Sequence, residues 1–197
     1  MKIHFCTQCG SDDIQYRSPE GDSYRRYICG ACGFIHYQNP NIVAGCVVEH
    51  EGKVLLCKRS IEPRKGLWTL PAGFMENHET ILEAARRETW EEARARVNTP
   101  QLYSIFNLPH INQVYVMYYG KLSGDSFAPG PESEEVLLLD IEDIPWDKLA
   151  FATIRETLKL YVKDREAGRI RLHSGDIIRP WVLRDPSNAQ LKNLVTR

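Results

Sequence analysis

From Ile42 the chain runs nearly continuously apolar as IVAGCVVE, turns polar at His50-Glu51-Gly52, and becomes apolar again as KVLLCKR. Two such runs around a short glycine-bearing triplet predict a buried strand and its hairpin partner. The polar loop SIEPRKG follows, then the short apolar run LWTL, then PAG. From about Thr80 to Val97 the spacing becomes helical, with Ile81, Leu82, Ala84, Ala85 and Ala93 available for a buried side. Thr80 with Glu83 three residues later is the signature of a capping box at the helix start. NQVYVMYYGKL alternates as a strand does, and EEVLLLD predicts another. Between them SGDSFAPGPESE has the Gly, Pro and Ser content of a mobile loop. Trp146 to about Glu166 predicts a second helix, with Phe151, Ile154, Leu158 and Tyr161 at core spacing. The order strand, helix, strand, helix predicts an α+β fold, a helix–sheet–helix sandwich whose loops carry function.

Composition narrows the class. A chain of 197 residues, 43% hydrophobic and 26% charged, has room for one catalytic domain with a buried core and a small attached module. The net charge of −1 gives no general attraction to nucleic acid or anionic membranes, so any phosphate binding is local and neither is an expected partner. MKIHFCTQCG contains no apolar run resembling a secretory signal, and no segment approaches a membrane span. The expected compartment is the cytoplasm.

Six cysteines divide into two kinds. Cys6-x-x-Cys9 and Cys29-x-x-Cys32 are pairs nineteen residues apart, and each is followed by a glycine, Gly10 and Gly33, suited to a tight turn. Two such pairs complete a tetrahedral Zn²⁺ site, and four protein ligands leave no open position, so the zinc is structural. Two disulfides are the alternative. Cys46 and Cys57 lie in apolar stretches and read as buried fillers. Residues 1–37 form the expected ribbon, whose acidic and basic residues balance; a ribbon for nucleic acid is usually basic. Tyr37-Gln38-Asn39-Pro40-Asn41 reads as the turn into a main domain, 38–168, and 169–197 remains as a C-terminal extension.

Glu88, Glu91 and Glu92 stand at i, i+3 and i+4, and so converge on one face of the predicted helix. Two carboxylates about 6 Å apart at an effective dielectric of ~20 repel by roughly 3 kcal/mol, and a bound cation reverses that sign. Oxygen-only ligands suit Mg²⁺ or Mn²⁺, which keep waters and bridge to phosphates. On these three residues alone, a solvated acidic helix face is an equal reading.

The surroundings decide between them. Gly73, five residues, Glu79, seven residues, Arg87-Glu88, then Glu91-Glu92 resembles the Nudix box. Thr89 stands where that family usually has an aliphatic residue, and Arg94 where it usually has the glycine that ends the helix, so this helix is expected to run on to about Asn98. The four-cysteine ribbon, the YQNP turn, GLWTLPAGFME, RETWEEA and FAPGPESEE together resemble Nudix hydrolases with an N-terminal zinc ribbon, the plant plastid FAD pyrophosphohydrolases above all, over roughly residues 1–165.

The resemblance implies a Nudix α/β/α sandwich with a mixed sheet. It implies divalent ions on Glu88, Glu91, Glu92 and the Gly73 carbonyl, with Arg87 holding the carboxylates in register and Glu79 supporting them. The implied reaction is hydrolysis of a P–O–P bridge in a dinucleotide or other nucleoside diphosphate derivative, FAD yielding FMN and AMP. The base is one of the box glutamates or a loop glutamate, of which Glu135 is preferred to Glu132 and Glu134 because it directly precedes VLLLD. Arg59 and Arg64 are candidates for binding phosphate oxygens, and Phe106, Tyr115 and Tyr118 for stacking on a ring. His78 reads as an exposed loop residue. A homodimer is borrowed from related hydrolases. ADP-ribose stays open as substrate; an NADH pyrophosphatase is a weaker match, because YSIFNLPHINQVYVMYY stands where that family carries a SQPWPFP-like motif. A non-catalytic nucleotide-sensing or partner-docking module is the alternative of another class.

Overall fold

The computed structural model describes residues 2–178, which fall into two compact units dividing between Asn39 and Pro40. Of the extension expected over 169–197, residues 179–197 lie outside the described residues.

The smaller unit is an antiparallel sheet in the order β1 (Ile14–Arg17), β2 (Arg26–Cys29), β3 (Ile35–His36). Its buried side chains are few: Cys6, Ile28, Cys29 and His36. So small an apolar interior does not stabilise a fold by itself, so the cysteine turns must contribute.

The larger unit has a mixed sheet in the order β10 (Ser133–Leu139), β5 (Lys53–Arg59), β4 (Asn41–His50), β9 (Gln113–Leu122), β8 (Val97–Leu108), β11 (His173–Asp176). β4 pairs parallel with β9, and β8 parallel with β11; the other neighbours are antiparallel. The predicted hairpin is present, with Glu51 and Gly52 both left-handed at the turn, but β4 and β5 pair only at Glu49–Val54 and His50–Lys53. Beyond that they diverge. The short β6 (Trp68–Thr69) joins β5, and β7 (Ala72–Phe74) joins β4.

Alternation along these strands sends side chains to opposite layers. Ala44, Cys46, Val48, Leu55 and Cys57 pack under α1 (Ile81–Ala93), with Ala84, Ala85 and Ala93. Val47, Val54, Leu56, Tyr103 and Met117 pack under α2 (Ala152–Glu166), with Ile154, Leu158 and Tyr161. The result is the expected α/β/α sandwich, and Cys46 and Cys57 are core fillers. No helix of the described residues is long and apolar enough to cross a membrane.

Three sequence expectations are corrected. α1 does not continue toward Asn98; it stops at Ala93, and Arg94 itself takes the left-handed cap conformation (φ 49°) and donates its N–H to Trp90 O. The cause is the following loop. Ala128 N–H donates to Ala93 O (2.9 Å) and Gly130 N–H to Glu92 O (3.0 Å), satisfying carbonyls a longer helix would have used internally. The same bonds anchor the stretch SGDSFAPGPESE at two points, and its last residues, Ser133 and Glu134, belong to β10 rather than to a loop. α2 begins at Ala152 rather than Trp146: Trp146–Lys148 form a separate 3₁₀ turn, after which Leu149 is extended, bridging in parallel to Trp68, and Ala150 N–H donates to Trp68 O.

Candidate active site

Thr80 caps α1 as expected: its hydroxyl accepts from Glu83 N–H, and the Glu83 carboxylate accepts from Thr80 N–H. One turn further, Arg87 is held on several sides. Its Nε and Nη2 donate to the two oxygens of Glu79 (3.0 and 2.6 Å), its Nη1 to Glu88 (2.6 Å) and Glu91 (3.1 Å), and its Nη2 also to Phe74 O (3.0 Å). A planar guanidinium can serve three carboxylates at once because its donors point in fixed directions. The Arg87 bonds, with the Glu76 N–H, hold the Glu79 carboxyl down at about 2.

Glu88 lies directly over Gly73: a Cβ built on Gly73 would fall 2.3 Å from its Oε2. Only glycine admits the carboxylate there. Glu92 is 6% exposed, and its Oε2 accepts from Ala72 N–H at 3.2 Å. Burial raises both acids. Glu88 rises through desolvation, against which Arg87 works, while Glu91 and Glu132 add to the rise. Glu92 rises to about 8, again through desolvation first, with the Ala72 N–H opposing and Glu88 and Glu132 reinforcing. Glu91 is exposed. Crowded acids raised in this way lack positive charge, and oxygen donors beside a glycine that leaves room for them fit a hard divalent cation.

These residues line a cavity of about 1070 Å³ that also receives Arg59, Arg64, Arg94, Tyr115, Glu132 and Phe151. Arg59 donates from Nε to Pro63 O (2.9 Å), and its guanidinium lies 5.3 Å from the centre of the Phe151 ring. Of the three loop glutamates, Glu132 is the one the structure brings to the carboxylates. Glu135 sits on β10 opposite Lys58, away from the cavity lining, and Glu134 pairs with Lys58 Nζ at 3.6 Å. A register shift between Ser133 and Glu135 separates them, so adjacency to VLLLD did not identify the nearest acid. Gly130, two residues before Glu132, lies so close to α1 that a Cβ there would fall 1.6 Å from Glu91 O.

The aromatic candidates part company. Tyr115 lines the cavity and Phe106 packs beside it in the same apolar cluster, buried and not in the lining, while Tyr118 packs on the α1 side of the sheet. Phe151 and the half-exposed Phe74 are the aromatic lining residues that sequence reasoning missed. Phe74 directly follows Gly73 in the box; Phe151 had been assigned to the core by its spacing. His78 is exposed, as expected.

In the smaller unit Cys6, Cys9, Cys29 and Cys32 bring their sulfurs within 4.8 Å of one another. The two turns match: Gly10 N–H donates to Cys6 O and Gly33 N–H to Cys29 O, both at 2.9 Å, with φ of 76° and 75° at the glycines. Gln8 N–H approaches Cys6 Sγ and Cys32 N–H approaches Cys29 Sγ, each at 3.4 Å. The Cys32 N–H leads the effects that lower the Cys29 thiol to about 7. All six cysteines are free, so the two-disulfide alternative is not what the structure shows.

Residues 39–161 match the sequence family described as NUDIX domain, and residues 4–38 the zinc-ribbon family described as Nudix N-terminal. The chain is 30% identical over 121 residues to an ADP-ribose pyrophosphatase of Methanocaldococcus jannaschii, covering 58% of this chain and 69% of that one. It is 28% identical over 163 residues to the NAD-capped RNA hydrolase NudC of Stutzerimonas stutzeri, covering 80% of this chain but 54% of that protein's length. Among solved structures it is similar to a NUDIX hydrolase from Nitrosomonas europaea, at 50% identity and a TM-score of 0.83, covering 89% of this chain and all of that one.

Proposed function

The chain belongs to the Nudix family, and from that premise we propose that it hydrolyses the pyrophosphate bridge of a dinucleotide, with FAD as the preferred substrate and FMN and AMP as products. The observation that carries this reading is the cavity: about 1070 Å³, continuous from Glu88, Glu91 and Glu92 to Tyr115, Phe74 and Phe151. Ligand pockets commonly span about 300–1,000 Å³, so this one suits a substrate with a ring at each end better than a small phosphate ester. ADP-ribose is the second reading, favoured by the likeness to the Methanocaldococcus jannaschii ADP-ribose pyrophosphatase.

Glu88, Glu91 and Glu92 would hold the divalent ions, together with the Gly73 carbonyl. Mg²⁺ or Mn²⁺, when bound, neutralises phosphate oxygens and acidifies the attacking water. Arg87 holds Glu88 and Glu91, and the Ala72 N–H holds Glu92, in place for the ions. Arg59 and Arg64 grip non-bridging oxygens of the substrate. The water oxygen bonds to one phosphorus, its proton passes to the Glu132 carboxylate, and the P–O bond to the bridging oxygen breaks, so the other phosphate leaves with its nucleoside. Phe74, Tyr115 and Phe151 receive the rings, the Phe151 face being backed by the Arg59 cation. The four-cysteine cluster takes a structural zinc, and a chain whose six cysteines are all free fits the reducing cytoplasm.

The test is product analysis with FAD, ADP-ribose, NADH and a nucleoside triphosphate, each with Mg²⁺ or Mn²⁺. FAD giving FMN and AMP with the highest kcat/KM supports the proposal. Turnover of ADP-ribose alone replaces the substrate but keeps the reaction, and turnover of none supports a non-catalytic nucleotide-binding module.

A further inference from the structure

Past α2 the chain returns to the sheet, and β11 joins the edge parallel to β8, His173 beside Ser104 through Asp176 beside Asn107. The sequence HSGD has no apolar side chain to drive that pairing. Polar contacts hold it instead. The Asp164 side chain, on α2, is 1% exposed, accepts from Tyr103 Oη and from the backbone N–H and Nε of Arg171 (each 3.3 Å), and lies 2.7 Å from His173 Nε2. At the other end of the strand Asn107 Nδ2 donates to Asp176 Oδ1 (2.9 Å), and Ile177 N–H donates to Asn107 O (2.8 Å). In the middle, Gly175 lies on the Phe106 ring, where a Cβ would come within 3.3 Å. The strand is therefore pinned at both ends and pressed flat between them.

What this delivers is Ile177. It packs with Val43, Phe106, Leu108 and Tyr115 and also lines the cavity that holds Glu88, Glu91 and Glu92. Four residues of strand span about 13 Å, so the Asp164 clasp at His173 fixes the position of a cavity-lining side chain well away from itself. We infer that β11 is a specificity element: Ile177 completes an apolar wall for a flat, uncharged ring of the substrate, and Asp164 is a positioning residue that sets the strand's register. This rests on the hydrolase reading above. The competing account is that β11 only covers the edge of the sheet; that role affects stability and leaves substrate recognition alone.

The full-length protein with Mg²⁺ separates the two. Ile177→Asp is expected to raise KM for FAD about tenfold with kcat within about twofold, because a charge facing a ring weakens binding and spares the chemistry. Ile177→Leu restores KM to near the wild-type value. Asp164→Asn raises the same KM and speeds amide exchange over residues 173–177. An unchanged KM for both FAD and ADP-ribose in Ile177→Asp, with only the melting temperature lowered, overturns the inference, as does a loss confined to kcat. Wild-type protein that turns over neither substrate overturns the hydrolase reading instead; calorimetric binding of FAD to wild type and Ile177→Asp then decides the wall, equal affinities overturning it.

Discussion

The thiol cluster of the ribbon and the carboxylate cluster of α1 are both suited to metal ions, yet they are built on opposite plans. The four sulfurs of Cys6, Cys9, Cys29 and Cys32 already lie within 4.8 Å of one another, on two matching turns whose amides approach Cys6 and Cys29. Among the described residues no group of three or more acids is drawn together that closely. Glu92 is buried and Glu88 half-buried against their own charge, Glu91 is exposed, and Arg87 stands between Glu88 and Glu91 as an internal cation. A closed tetrahedral set stabilises a fold whose apolar interior is too small, whereas an open set of oxygens leaves room for waters and for substrate phosphate. The first cluster serves the fold, and the second strains it.

The comparison breaks most severely if the ribbon keeps its structure without zinc. Structural zinc binding is worth about 10–16 kcal/mol in small modules, so a strong chelator or Cys29→Ser should abolish the chemical-shift dispersion of residues 4–38. Retained dispersion would make the thiols incidental. Next in size is Arg87→Met, which removes the cation shared by Glu79, Glu88 and Glu91. Activity or metal affinity should fall about 10- to 100-fold, as when other supporting groups around metal ligands are removed.

Acidity sharpens the contrast further. Glu92 is raised to about 8, above its ordinary value of 4.5, so its ionised form is disfavoured in the fold. In metal-free protein its contribution is therefore neutral below about pH 4.5 and becomes more destabilising as pH rises toward 8, costing about 3 kcal/mol at pH 7. Metal binding must displace that proton. Calorimetry at pH 7 in two buffers of different ionisation enthalpy should find about one proton released per site filled, and none above pH 9. The smallest effect is expected at Arg94, a non-glycine residue at φ 49°: Arg94→Gly should raise the melting temperature by the equivalent of about 1 kcal/mol.

Much of the larger unit was legible because its signals are local. The capping box, the strand at Lys53–Arg59 and the glutamate face of α1 depend on neighbours in sequence. β8 went unread because Pro100 and two register shifts interrupt its alternation, and β11 because its polar residues pair only where Asp164 and Asn107 hold them. The same distinction applies within the site. Glu88, Glu91 and Glu92 could be placed on one face from spacing, and Arg87 and Glu79 from the resemblance to the Nudix box, but Glu135 is turned away by its register opposite Lys58 on β10. The approach of Glu132 and the end of α1 at Arg94 go with a long-range contact, the docking of Ala128 and Gly130 on the carbonyls of Ala93 and Glu92. Sequence spacing has no means of reporting that contact.

The most direct test of a carboxylate kept for chemistry at the expense of stability is Glu92→Gln, with turnover and metal-free melting temperature measured on the same preparation at pH 7. Opposite signs are expected: kcat for FAD or ADP-ribose falls about a thousandfold or more, while the melting temperature rises, because a neutral amide no longer costs the fold the free energy of keeping the Glu92 carboxyl protonated at pH 7. A variant that melts lower than wild type and still turns over substrate at a similar rate would contradict it.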